Sequence, residues 1–277
     1  MKQSIVILAF LVSLTLVLSA CSITNKPVFE TIPPKTLATN YALHSCNDWG
    51  RIAVGPFTLE NNVWNKGSRE NYTQCVFASN STPPATMGWS WSWPADKREE
   101  VVAYPELIYG DKPWSEEAPS DTLPIKVSDR DILVSYNAAL KASGVWNMAF
   151  SMWLTRSLPP REKNISKEIM IWTAKSGMLP AGYLRDRVSI GGIDYKIYIN
   201  ENHIPAQDGS TGGWTYITFL SIEEHLSGTL NLGEFLGYLL DRQYIEDTLY
   251  LADIELGNEI IKGQGEFILS KFEIKIK

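Results

Sequence analysis

Glu168-Ile169-Met170-Ile171-Trp172 is the stretch that decides the fold. Successive side chains of a strand point to opposite faces. Glu168, Met170 and Trp172 therefore share one face, and Ile169 and Ile171 share the other. The two isoleucines suit a core between two sheets. A carboxylate, a thioether and an indole make a poor core but a good floor for a sugar ring. The same pattern also fits a partly buried structural glutamate beside two core residues.

Short alternating stretches of this kind recur along the chain, bounded by Gly, Pro, Asn or Ser. They cover residues 52–58, 74–79, 87–93, 132–136, 146–154, 168–172, 187–190, 195–199, 215–220, 250–256 and 267–276. That spacing predicts an all-β antiparallel sandwich or barrel. The lack of a visible repeat of 20–50 residues argues against a propeller or solenoid. One helix interrupts the strands. Asn231 is its N-cap, Glu234 its capping-box partner, and Phe235, Leu236, Leu239 and Leu240 its apolar stripe, with an end near Arg242. Gly263-Gln264-Gly265 reads as a hairpin turn.

Trp89, Trp91 and Trp93 share a face, with Gly88, Ser90 and Ser92 opposite, and could line a cleft or fill a core. In residues 146–153 the core face is Trp146, Met148, Phe150 and Met152. The other face, Asn147, Ala149, Ser151 and Trp153, offers polar groups to a cleft.

The N-terminus is an address. Lys2 precedes an apolar run over 5–18, too short for a transmembrane helix. The run ends in Leu18-Ser19-Ala20-Cys21, which resembles the bacterial lipobox. That resemblance implies cleavage before Cys21 and a diacylglycerol thioether on its sulfur; the alternative is an ordinary secretory signal. Ser22, where an Asp would retain a lipoprotein at the inner membrane, implies the outer membrane of a Gram-negative cell, facing the periplasm or the outside. The expected organisation is a leader at 1–20, a lipidated tether at 21–35 and one domain at 36–277.

The net charge is −6, and loss of Lys2 with the leader makes it −7. With no Lys/Arg run, nucleic acid is not an expected partner. Of three cysteines, Cys21 is assigned to the lipid, leaving Cys46 and Cys75. In an oxidising compartment a Cys46–Cys75 disulfide is expected over two free thiols. His44, His203 and His225 lack metal-ligand spacing, so neither metal nor cofactor is expected. No Gly-x-Ser-x-Gly elbow or phosphate-cradling glycine loop is present.

A second glutamate, Glu259, lies in Gly257-Asn258-Glu259-Ile260-Ile261. Two carboxylates flanking one bond are what glycoside hydrolysis requires. The pieces together resemble glycoside hydrolase family 12. Cys46-Asn47-Asp48-Trp49 resembles that family's Cys-x-x-Trp, and Asn61-Asn62-Val63-Trp64 its Asn-Asn-x-Trp. Cys75 falls where its second cysteine closes a disulfide. Tyr104-Pro105-Glu106-Leu107-Ile108-Tyr109-Gly110-Asp111-Lys112-Pro113-Trp114 is similar to a segment of bacterial members. The stretch from Glu168 to Trp172 matches the nucleophile strand, and Gly257 to Glu259 the acid/base position.

The resemblance implies a β-jelly-roll sandwich of two curved antiparallel sheets with one α-helix on the convex face, and a retaining endo-β-1,4-glucanase. Its substrate would be a β-glucan (cellulose-like, mixed-linkage or xyloglucan), and a monomer is expected. Glu168 would be the nucleophile and Glu259 the general acid/base. Trp49, Asn62, Trp64, Trp91, Trp93, Asn147, Met170 and Trp172 would bind substrate. One departure stands out. Ser151 occupies the place of an Asp that the family carries beside the nucleophile. Loss of that charge should lower the pKa of Glu168. A catalytically silent glycan-binding lipoprotein on the same scaffold is the alternative.

Overall fold

The computed structural model describes residues 32–97, 99–114, 122–128, 131–203 and 213–277. Cys21 and most of the expected tether lie outside the described residues.

The strands in chain order are β1 (Leu43–Ser45), β2 (Arg51–Val54), β3 (Phe57–Glu60), β4 (Thr73–Ala78), β5 (Met87–Trp93), β6 (Glu106–Gly110), β7 (Ile125–Lys126), β8 (Ile132–Thr155), β9 (Ile165–Ser176), β10 (Tyr183–Ile190), β11 (Ile193–His203), β12 (Trp214–Ser221), β13 (Ser227–Asn231), β14 (Tyr250–Leu251), β15 (Asp253–Gly257) and β16 (Ile260–Ile276). Two α-helices, α1 (Pro34–Ala38) and α2 (Leu232–Asp241), accompany them among the described residues.

The hydrogen-bonded order runs β1-β4-β5-β16-β8-β15-β6-β3-β2. Beyond β8 the ladder continues through β9, β12, β11 and β10. Strand β8 belongs to both layers of the sandwich. Its first half pairs with β13 and β16, and its second half with β15 and β9. Tyr136 and Phe150, both on β8, meet edge to face at 5.1 Å. A straight strand would hold them about 46 Å apart, so the ladder doubles over at this strand. The enclosed core takes Trp89, Trp91, Phe150, Ile169, Ile171, Phe219 and Phe267. Phe57 of β3 meets Phe272 of β16 across it at 5.4 Å.

The β-rich fold is as expected, with instructive differences in the elements. The pair β9/β12 is parallel, whereas the other pairs are antiparallel. The stretch 52–58 is a hairpin rather than one strand, because Gly55 takes φ 58° and turns β2 into β3. The stretches 132–136 and 146–154 are ends of a single strand, since β16 pairs along the small and polar residues between them. Gly263-Gln264-Gly265 is no turn; it lies inside β16. A Cβ at Gly265 would collide with the Trp91 indole, so this glycine marks close approach.

Helix α2 begins as read. The Asn231 side chain accepts from Gly233 N at 3.1 Å. Phe235 packs on Tyr195 and Phe219, extending the core beneath β11 and β12. Helix α1 starts inside the segment read as tether and sets Leu37 and Ala38 against Cys75 and Phe77. Cys46 and Cys75 form the expected disulfide, 29 residues apart in sequence.

Candidate active site

Alternation along β9 sends Ile169 and Ile171 into the core and Glu168, Met170 and Trp172 to the outer face. Cross-strand register then builds rows. Glu168 stands between Trp153 of β8 and Tyr216 of β12; Met170 between Ser151 and Thr218; Trp172 between Ala149 and Leu220. Strand β15 extends the second row with Glu255 and the third with Gly257. This outer face is itself roofed. Tyr104, Ala149, Met170, Trp172, Tyr216 and Leu220 form a second apolar cluster, with Trp64, Met178 and Tyr198 packed against it. Met170 and Trp172 thus share the face of Glu168, as alternation implied, and both are buried in this cluster.

Glu168 is buried, and its Oε2 accepts Trp214 Nε1–H at 2.8 Å. Glu259 sits where β15 passes into β16 and is half-buried. Its backbone N–H donates to Asn147 Oδ1 at 2.8 Å, and its carbonyl accepts Asn147 N–H at 3.0 Å. Asn147 Nδ2 also donates to Glu259 Oε2. Asn258 braces this corner, donating to Asn147 O at 2.6 Å and accepting Trp89 Nε1–H at 2.7 Å.

Burial pushes Glu168 up to about 8, and the charge of Glu259 pushes it the same way; Trp214 N–H and the Lys112 ammonium oppose them. Burial raises Glu259 to about 7 against the Asn147 amide. Both carboxylates also raise the Tyr104 and Tyr216 phenols, whose largest cause is burial. The two acids therefore occupy one electrostatic neighbourhood.

Several sequence-based expectations change here. Ser151 does not leave Glu168 readily ionised. The serine faces Met170 and Glu255, its hydroxyl has no partner, and desolvation of Glu168 outweighs the missing charge. Asn147 is wholly buried and holds Glu259 rather than offering its amide to a sugar. Asn62 directs its Nδ2 to Glu106 Oε1 at 2.7 Å and accepts Trp64 N–H at 3.0 Å. Trp91 and Trp93 are core residues, 0% and 3% exposed; Trp93 Nε1 donates to Gln74 at 2.9 Å. Their face of β5 turns inward because β5 lies in the other layer. Trp64 is half-buried over the floor, and Trp49 is 49% exposed at φ 60°.

The sequence reading missed Trp214, Tyr216 and Tyr104. Extending the alternation of 215–220 one residue back would have put Trp214 on the face of Tyr216. It also missed a buried ionic cluster. Lys112 Nζ lies 2.6 Å from Glu106, 3.4 Å from Glu60 and 3.4 Å from Glu255. Arg51 pairs with the other oxygen of Glu60. Among the described residues no group of three or more His, Cys, Asp or Glu is arranged to hold a metal ion.

Comparison with known proteins adds independent findings. A model of Glycosyl hydrolase family 12 matches residues 55–277. Endoglucanase S of Pectobacterium parmentieri is 29% identical, covering 90% of this chain and 93% of that protein. Xyloglucan-specific endo-beta-1,4-glucanase 1 of Phytophthora nicotianae is 28% identical over 84% of this chain and 91% of its own. Among solved structures, a family 12 xyloglucanase from Bacillus licheniformis in complex with ligand superposes with a TM-score of 0.78 at 26% identity, covering 85% of this chain and 100% of that one.

Proposed function

The chain belongs to glycosyl hydrolase family 12, and from that membership we infer that it is a retaining endo-β-1,4-glucanase acting on β-glucan or xyloglucan. Two relatives named as an endoglucanase and a xyloglucan-specific endoglucanase support the substrate class. The observation that carries the mechanism is that the charge of Glu259 reaches the buried Glu168 carboxyl, and both reach the phenols of Tyr104 and Tyr216.

The Glu168 carboxylate attacks the anomeric carbon while the Glu259 carboxyl gives its proton to the departing glycosidic oxygen. A glycosyl ester on Glu168 and a shortened glucan result. Water then attacks the same carbon, passes a proton to Glu259 and releases Glu168. Trp214 N–H steadies the Glu168 anion. Asn147 fixes the Glu259 carboxyl through side chain and backbone. Trp64 and Trp49 stack on glucosyl rings, with Met170 and Trp172 beneath. A catalytically silent glycan binder is disfavoured because both carboxyls are present and the charge of Glu259 acts on Glu168.

The chain acts as an exported monomer anchored through lipidated Cys21 to an outer membrane. The order Leu18-Ser19-Ala20-Cys21 and the Cys46–Cys75 disulfide, a bond of oxidising compartments, support this.

Two variants test the roles. Glu168→Gln should lose at least ~10³-fold turnover on every substrate. Glu259→Gln should lose a similar factor on polymer, yet still release dinitrophenol from an activated aryl cellobioside, whose departure needs no proton. Near-normal polymer cleavage by Glu168→Gln, or a product of inverted configuration by NMR, would reject the assignment.

A further inference from the structure

Glu106 is completely buried, and three other acids crowd it: Glu60, Glu255 and Asp253. Lys112, 7% exposed, is the cation at their centre. Interior ion pairs add little net stability, because desolvation offsets the Coulomb attraction. Burial, with help from neighbouring acids and against the Lys112 ammonium, pushes Asp253 and Glu255 up to about 8. So costly a cluster calls for a reason besides stability, and its hydrogen bonds supply one.

Glu106 Oε1 receives Lys112 Nζ at 2.6 Å and Asn62 Nδ2 at 2.7 Å. Asn62 Oδ1 in turn accepts the backbone N–H of Trp64 at 3.0 Å. Trp64 lies in a loop outside any strand, between β3 and β4. Its indole packs on the floor cluster of Tyr104, Ala149, Met170 and Trp172. A chain of contacts therefore runs from a buried ammonium through a buried carboxylate and amide to one aromatic side chain of the floor. The loop backbone is anchored on either side of Trp64, where Tyr104 N–H and Gln74 Nε2 donate to Asn62 O at 3.1 and 3.0 Å and Asn65 N–H and Nδ2 donate to Val102 O and Val101 O at 3.3 and 2.8 Å, while the hydrogen bond to the N–H of Trp64 itself comes from the Asn62 side chain.

We propose that Glu106, clamped by Lys112, is a positioning residue that holds Trp64 through Asn62 at the angle needed to stack on a glucosyl ring. The proposal rests on the reading of Trp64 as a sugar platform. Acting on binding in both ground and transition states, the clamp should affect KM and leave the chemical step alone. Glu60 and Glu255 give Lys112 a fixed seat, so the charge that grips Glu106 cannot swing away.

The test is a double-mutant cycle on a soluble β-glucan. Trp64→Ala should raise KM about tenfold or more, the loss of one stacked ring. Glu106→Gln should raise KM about tenfold with kcat little changed, as expected when a charge-assisted hydrogen bond is lost. Asn62→Ala, which leaves the ionic cluster whole, should do the same and serves if Glu106→Gln folds poorly. In the Trp64→Ala background neither should raise KM further. If Trp64→Ala leaves KM unchanged, the platform reading fails and takes the proposal with it. If Trp64→Ala raises KM but Asn62→Ala and any folded Glu106→Gln do not, or if their effects add fully to that of Trp64→Ala, the positioning role alone is overturned.

Discussion

At the scale of single residues, solvation decides the chemistry of Glu168. Removing a neighbouring carboxylate favours ionisation, and Ser151 provides that removal, yet the buried Glu168 carboxyl is held up to about 8. Trp214 N–H is the donor that favours its anion, at 2.8 Å. Trp214→Phe keeps most of the ring and deletes this donor. The loss of a hydrogen bond to a charged group, about 1.5 kcal/mol, should raise the Glu168 pKa by about one unit. Because Glu168 is held above Glu259, the basic limb of kcat/KM against pH should then move upward by a similar amount while the maximum falls; a basic limb that stays in place would show that Trp214 does not govern this proton. The face carrying Glu168 was legible because alternation is local. Its partner was not, because 46 residues separate Trp214 from Glu168 and the joining pair β9/β12 is parallel, which no hairpin signal announces.

At the scale of elements, close packing explains where the sequence reading succeeded and failed. Strand β5 spans the residues expected, 87–93, and helix α2 starts at the Asn231 cap. Both carry their own signals: strict alternation in one, a cap and an apolar stripe in the other. Strands β8 and β16 looked broken because small and polar residues occupy their middles, Ser143-Gly144 and Gly263-Gln264-Gly265. The glycines permit two backbones, and at Gly265 an indole, to approach. Gly265→Ala should therefore press on Trp91 and cost about 1–3 kcal/mol, the usual penalty of overpacking. Urea unfolding followed by tryptophan fluorescence would report it as a lower midpoint at unchanged slope. A midpoint equal to that of the parent would mean that the indole moves aside freely.

At the scale of the whole molecule, the buried acids link stability to pH. Glu168, Asp253 and Glu255 are pushed up to about 8 and Glu259 to about 7, all chiefly by burial. In the unfolded chain such groups titrate near 4. Between that value and about 8 the native state holds more protons than the unfolded one. Stability is thus greatest on the acidic side of this window and falls as pH rises through it, by about 1.4 kcal/mol per pH unit for each extra proton. Asp48, lowered by Lys66 and Tyr72 against its own desolvation, works in the opposite sense but only at lower pH. Melting temperature should drop between pH 5 and about 8, and Glu255→Gln should flatten the fall; a profile that rises over this range would contradict the account. By itself the sequence determined the β-rich architecture, the helix, the two glutamates and the face on which Glu168 stands, since each rests on periodicity or on a short contiguous motif. Only tertiary structure decided that Trp91 and Trp93 fill the core, that Asn62 and Asn147 serve other residues rather than the sugar, and that Lys112 gathers three acids. Those outcomes depend on which strands become neighbours and which layer each joins, and alternation within one strand says that a side chain has two faces without saying which of them meets water.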